Sequence, residues 1–354
     1  MNTTKKNFLY ATLLLVALYF LFVGLSATKN LFAPLATAGV LSLLVMPLCN
    51  KLENHGFKRW ATALLSAIGL FLISLGFVFL VGMQIGSFAQ HWPKVKKRIM
   101  PQIEQVKDFV SENTPLTKKQ LAISPQAPAS SSKSGVVEQK IGPILGGIVS
   151  FSGNFLLTFV YIFFLLHYRS MFRNFLIAFF PDRKRETVKD AINKSARVVP
   201  QYLVGKAILM GINAVLYAVG LGLAGVQNYI MLSLVTTILT LIPYLGNIIG
   251  YIIAIVFGYI SSSDPMIFVW ITLTFSVAQF VETYIINPFI IGDKVDLHPF
   301  FVIVVIIVGD MMWGIIGMVL AVPLASILTI ILLHIKETKE IGLLLSKDGF
   351  TEDE

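Results

Sequence analysis

Charge and cysteine are what this chain of 354 residues has least of: 13% of its residues are charged, and Cys49 is its single cysteine. A soluble domain carries roughly 25% charged residues. There is too little polar surface here to cover a globule in water, and the mean hydropathy of +0.78 agrees. An ordinary soluble enzyme is excluded. So is intrinsic disorder, which needs low hydrophobicity and high charge. One cysteine allows neither an internal disulfide nor a cysteine-based zinc site. His55, His91, His167, His298 and His334 are scattered and form no His-Glu-x-x-His pair, and no Walker loop or Gly-x-Gly-x-x-Gly turn opens a helix. Gly309 and Asp310 supply half of the Gly-x-Gly-Asp motif of intramembrane aspartyl proteases, but Ile307 stands where the other glycine belongs. The expectation is no enzyme, no cofactor and no metal. The net charge of +9 comes with no nucleic-acid motif, so nucleic acid is not an expected partner and the charge is read against membrane topology.

What the sequence has in abundance is long runs without Asp, Glu, Lys or Arg, at 7–27, 30–50, 60–91, 141–168, 207–263, 265–281 and 311–335. About 20 apolar residues cross a hydrocarbon core of about 30 Å. The run at 207–263 holds two passes, broken where glycines and amides gather at 222–228. Asp264 and Pro265 read as an N-cap and first-turn proline. The pattern predicts an all-α polytopic membrane protein of about eight transmembrane helices, near 8–27, 31–49, 60–88, 143–167, 205–222, 229–260, 265–287 and 299–335. Continuous runs without period-two alternation exclude a barrel. Lys5, Lys6 and the apolar run behind them also fit a signal peptide, but the second run follows at once and favours a hairpin of two retained helices. Most of the Lys and Arg fall on the side of the N-terminus, which predicts both termini in the cytoplasm; the resemblance set out below implies a bacterial inner (plasma) membrane.

Four regions follow. Residues 1–88 hold three transmembrane helices and 336–354 form a charged tail. Residues 89–140 lie outside the membrane: Val95, Ile99, Ile103, Val106 and Val110 trace one face of an amphipathic helix, and a linker rich in Pro and Ser follows. That helix packs on its own protein or docks on lipid or a neighbouring subunit. Residues 141–335 are the transport core, with a cytoplasmic interfacial helix near 182–202 that carries Val188, Ile192, Val199 and Tyr202 on one face.

Polarity within the last spans carries the function. Ser233, Thr237, Thr240, Tyr244 and Asn247 recur at helical spacing, as do Thr272, Ser276, Gln279, Thr283 and Asn287, with Glu282 beside them. Lipid cannot satisfy such groups, so each stripe faces protein or water. For Ser and Thr the plainer reading is helix–helix adhesion, worth about 0.6 kcal/mol per contact. For Gln279, Glu282 and Asp310 a route through the bilayer is the better reading, because an ionisable group at membrane depth is costly without a partner or a task. The segments 229–260 and 299–335 are too long for one pass. Pro243 and Gly246 interrupt the first; Gly309, Gly314, Gly317 and Pro323 interrupt the second. Discontinuous or re-entrant helices of this kind line transporter sites.

The motifs that carry a resemblance are Gln-Tyr-Leu-Val-Gly at 201–205, Ile-Pro-Tyr-Leu-Gly at 242–246, Gln-Phe-Val-Glu at 279–282, Asn-Pro-Phe-Ile-Ile-Gly at 287–292, Leu-His-Pro at 297–299 and Gly-Ile-Ile-Gly-Met-Val-Leu-Ala-Val-Pro-Leu at 314–324. In this order and spacing they resemble the autoinducer-2 exporter (AI-2E) family of bacterial membrane transporters. Asn247 and Lys206 depart from that pattern, standing where a proline and a glutamine are common. The resemblance implies a secondary transporter, without ATP hydrolysis, that exports a small polar molecule such as an autoinducer-2-like signal, coupled to protons or sodium. It also implies a homo-oligomer. A Na+(Li+)/H+ antiporter and a non-transporting membrane scaffold are the alternatives. The expected pathway residues are Glu282 and Asp310 for coupling, and Gln279, Asn287, Thr283, Thr240, Tyr244, Asn247, Pro243 and Gly246 for polar contacts and freed carbonyls.

Overall fold

The computed structural model describes residues 3–80, 82–83, 153–242, 245–261, 266–291, 296–347 and 349. The expected amphipathic helix and linker at 89–140, Pro243, Tyr244 and the acidic residues 352–354 lie outside them. The described residues are helical throughout, with no strand among them.

The first helix, α1 (Thr3–Ala27), passes into α2 (Lys29–Asn54) through Thr28 alone, whose N–H and hydroxyl both bond to the Gly24 carbonyl. The expected hairpin does not form: α1 meets α2 chiefly at this turn and packs instead on a later helix, α10 (Pro299–Trp313). A turn at Gly56 leads into α3 (Arg59–Leu80). α4 (Gly153–His167) continues, bent by 67°, into α5 (Arg169–Ala178). Small residues let these helices approach, with Ala38, Ala63 and Ala67 packed beneath Phe159, Ile162 and Leu166. At one end Arg169 bridges to Glu53, which also accepts from the Thr62 hydroxyl, and buried Cys49 donates to that hydroxyl.

The spine is α6 (Arg185–Leu223), 39 residues and about 58 Å long. Residues 182–202 are therefore no separate interfacial helix. A short turn at Asp182–Lys184 opens the helix, which then runs unbroken into the apolar half. Amphipathic character belongs to α5, where Met171, Phe172, Phe175 and Leu176 are exposed beside Arg169 and Arg173.

The C-terminal half is two helical hairpins and a widened helix. The segment expected to break at Pro243 and Gly246 does so: α7 (Tyr229–Leu239) and α8 (Leu245–Ser261) pack side by side. At about 16 Å, α7 is too short to cross a bilayer. Gly246 lies against the Leu239 carbonyl so closely that a Cβ would collide with backbone. Next comes α9 (Met266–Phe280), which widens into π-helical turns over Val281–Ile291. The second hairpin is α10 and α11 (Ile315–His334), turned by Gly314 at φ 65° and crossing where Gly309 meets Gly317. A last short helix, α12 (Lys339–Leu345), folds back on α11.

Among the described residues five helices are long and apolar enough to cross a membrane, and six if α4 and α5 form one span. The expected eight is not confirmed: among the described residues 299–335 still supplies one span, whereas 8–27 counts only as a shorter apolar helix, 229–260 is two shorter helices, and 143–167 enters only as part of the bent α4–α5 pair. Leu72, Ile73, Phe79, Val215, Leu223 and Ile316 are among many large apolar side chains left exposed, as lipid-facing surfaces require.

Candidate functional site

On α6, Leu209, Asn213, Tyr217 and Leu221 recur every fourth residue and are all buried. This face packs against α9 and the π-helical stretch that continues it. A π turn spreads its backbone hydrogen bonds to i+5 and is rare outside functional sites. Here it begins at Val281, one residue before Glu282. Glu282 is 8% exposed, the one buried acidic side chain among the described residues. Its Oε2 accepts a hydrogen bond of 2.8 Å from Asn213 Nδ2. Asn213 is fully buried, and its other polar atom, Oδ1, has no partner among the described residues. Tyr217, one turn further along α6, is buried on the same face and stacks on Phe275 of α9.

The remaining expected residues divide among three other places. Gln279, three residues before Glu282, is exposed on the outer side of α9. There it accepts from Asn247 Nδ2 at 2.8 Å and donates to Thr283 Oγ1 at 2.9 Å. One step along the same surface, the Tyr251 hydroxyl lies 3.0 Å from Thr272 Oγ1, beside a shallow groove lined by Phe268, Val269, Leu273 and Ser276. The predicted polar stripe of α9 thus exists but lies on the outside of the chain, while Glu282 is turned inward. Asn287 belongs to the π-helical stretch. Thr240 and Gly246 sit at the α7–α8 break, where the Thr240 hydroxyl bonds to the Thr237 carbonyl at 2.6 Å. Asp310 is exposed near the tip of the α10–α11 hairpin, which packs mainly on itself, α6, α12 and α2. Glu282 packs on α6 at the π-helical stretch, so these two acids form no common site.

Asn213 is the site member that the sequence did not single out. Asn213 is the only amide between Gln201 and Gln227, in a stretch whose other polar side chains are Tyr202, Lys206 and Tyr217. That isolation was the available signal. A carboxylate and an amide whose acceptor is unpartnered among the described residues are thus held together between apolar helices. Asn213 and Glu282 form a charge-assisted hydrogen bond, worth about 1.5–3 kcal/mol.

Comparison with known proteins adds the family. Residues 10–337 match the family described as AI-2E family transporter. Three relatives carry the name "Putative transport protein". YueF of Bacillus subtilis (strain 168) is 21% identical over 325 residues, covering 87% of this chain and 85% of its own. YhhT of Escherichia coli (strain K12) is 20% identical over 356 residues, 96% and 95% of the two chains. YrrI of Bacillus subtilis (strain 168) is 29% identical over 133 residues, which is 38% of this chain and 37% of YrrI. A family match over nearly the whole length, joined to apolar helices and broken hairpins, makes this a multi-pass membrane protein, and the chain belongs to the AI-2E transporter family.

Proposed function

We propose that the protein is a secondary transporter that exports a small polar molecule, such as an autoinducer-2-like signal, across a bacterial inner membrane, with both termini in the cytoplasm. The observation that carries this reading is the buried Glu282–Asn213 pair where α6 meets a π-helical stretch. A buried carboxylate with a half-satisfied amide is costly in apolar surroundings, and it is retained where a polar solute or ion has to be met. The short helices α7 and α10 support the same reading, since half-helices that stop within a bilayer are how transporters present backbone groups to cargo. Gln279, Thr283 and Asn247 form a second polar surface, on the outside of the chain. That surface supports a homo-oligomer in which another copy shields the ladder from lipid.

Flux in proteoliposomes tests the function. The purified protein is assayed with a panel of small polar solutes, the autoinducer-2 furanone included, under imposed proton and sodium gradients. At least one solute should move, and Glu282→Gln should lower its flux by tenfold or more. A panel that never moves above empty liposomes, or a Glu282→Gln flux equal to wild type, overturns the reading.

A further inference from the structure

At one end of the molecule the end of α2, the start of α3 and the end of α4 are tied together. The Glu53–Arg169 bridge joins α2 to the start of α5, and Arg59 of α3 donates to Ser170 Oγ at 2.8 Å. Trp60 and Tyr168 are exposed there, with Lys58 and Arg59 just before Trp60. Trp and Tyr gather where hydrocarbon meets headgroups, and Lys and Arg in the segments beyond, so this end marks a bilayer boundary. Here α5 leaves α4 at 67°. The uncharged run 141–168 is long enough to cross without α5. A span tilts by about 20° on average, so a helix bent this far from it lies closer to the membrane plane than to the normal.

The lipid-facing strip of α4, exposed Leu156, Val160, Phe164 and Tyr168 at every fourth residue, continues past the bend through exposed Phe172, Phe175 and Phe179. At about 100° per residue these three phenylalanines lie within about 60° of one another. The contact of α5 with α6 is elsewhere on the helix, where Arg173 Nη2 donates to Asn193 Oδ1 at 3.2 Å. From Arg169 to Arg185 the chain carries five cations and one acid. Arg185 takes that acid, Asp182, while Arg169 and Lys184 pair with Glu53 and Glu337. Arg173 and Arg183, with Lys58 and Arg59 of the α2–α3 turn, have no acidic partner among the described residues. Water would leave the phenylalanines bare, and a neutral leaflet would leave the cations unmatched; an anionic leaflet satisfies both. We infer that α5 lies along the bilayer surface with Phe172, Phe175 and Phe179 at the boundary of headgroups and acyl chains, and that the unpaired cations around it hold the phosphates of anionic phospholipids. The inference stands apart from the transporter reading, since it needs neither a solute nor Glu282.

Nitroxide labels on the full chain, in vesicles of phosphatidylcholine and phosphatidylglycerol, test the placement. They are attached through Phe175→Cys, Phe179→Cys and Asn174→Cys, and wild type, whose Cys49 is buried, gives the background. Labels at 175 and 179 should be reached by oxygen and shielded from a water-soluble nickel chelate, and the label at 174 the reverse. Labels at 175 and 179 open to nickel mean a helix in water, and labels closed to both reagents mean a face covered by protein; either result overturns the inference. Thermal unfolding in nanodiscs of phosphatidylcholine, with and without phosphatidylglycerol, tests the lipid chemistry. The anionic lipid should raise the Tm of wild type by about 2–4 °C, and Lys58→Gln with Arg183→Gln should remove half of that rise or more. Neither of these exposed side chains is bonded among the described residues, so the pair leaves the fold intact. A wild type indifferent to phosphatidylglycerol, or a double variant that keeps the whole rise, overturns the anionic assignment.

Discussion

Asn213 has one donor committed to Glu282 and one acceptor uncommitted, and both are sealed from solvent. Removing the amide leaves a buried carboxylate oxygen without its donor. Asn213→Ala should therefore cost about 1–3 kcal/mol of stability and lower flux as Glu282→Gln does, readable as a fall in Tm together with a proteoliposome rate. Thr240 is the contrast. Its hydroxyl serves only a carbonyl of its own helix, so Thr240→Val should shift stability by no more than about 0.6 kcal/mol and leave flux intact. Glu282 and Gln279 were legible as polar residues at membrane depth, but their division between two faces was not. Helical spacing assumes a constant angle per residue, and the π turns that begin at Val281 break that assumption.

The hairpins show what glycine permits when two helices meet backbone to backbone. Gly309 on α10 and Gly317 on α11 each lie so close to the other's carbonyl that any Cβ would collide with main chain, which cannot swing aside as a side chain can. Gly317→Ala should splay the hairpin and cost about 1–3 kcal/mol. Gly211→Ala, on an open face of α6 where nothing lies within 4 Å, should be neutral or stabilise by up to about 1 kcal/mol. Unfolding curves of the two variants, measured side by side, separate steric crossing from general helix propensity. The breaks at 243–246 and 309–317 were legible because proline and glycine interrupt long apolar runs there. Their consequence, two packed half-helices where one kinked span was the alternative, was not, because it depends on small residues from both arms meeting in space.

Across the whole molecule, the start of α6 is fastened to the end of α11 by Lys184, whose Nζ donates to Glu337 at 2.8 Å. That hydrogen bond is the main reason the fully exposed Glu337 carboxyl titrates below its ordinary value. A carboxylate held low contributes stability above its ordinary value and loses it as the pH falls through the lowered one. The Tm difference between wild type and Lys184→Ala should accordingly be present at neutral pH and vanish in acid. A larger question at this scale is what covers Asn247, Gln279, Thr283, Tyr251 and Thr272, which are bonded to one another along the outside of α8 and α9. Lipid offers these groups no hydrogen bonds beyond those they make to one another. In the homo-oligomer proposed above, a second copy would supply donors and acceptors and remove the ladder from lipid in one step. Wild type should then exceed the 39.1 kDa of one chain by light scattering after detergent correction. Replacing Thr272 by Val and Gln279 by Leu together should shift the particle towards that mass, because the polar contacts that reward association are gone while the apolar ones are matched by lipid. A wild-type particle of single-chain mass would mean that water, and not another subunit, meets the ladder.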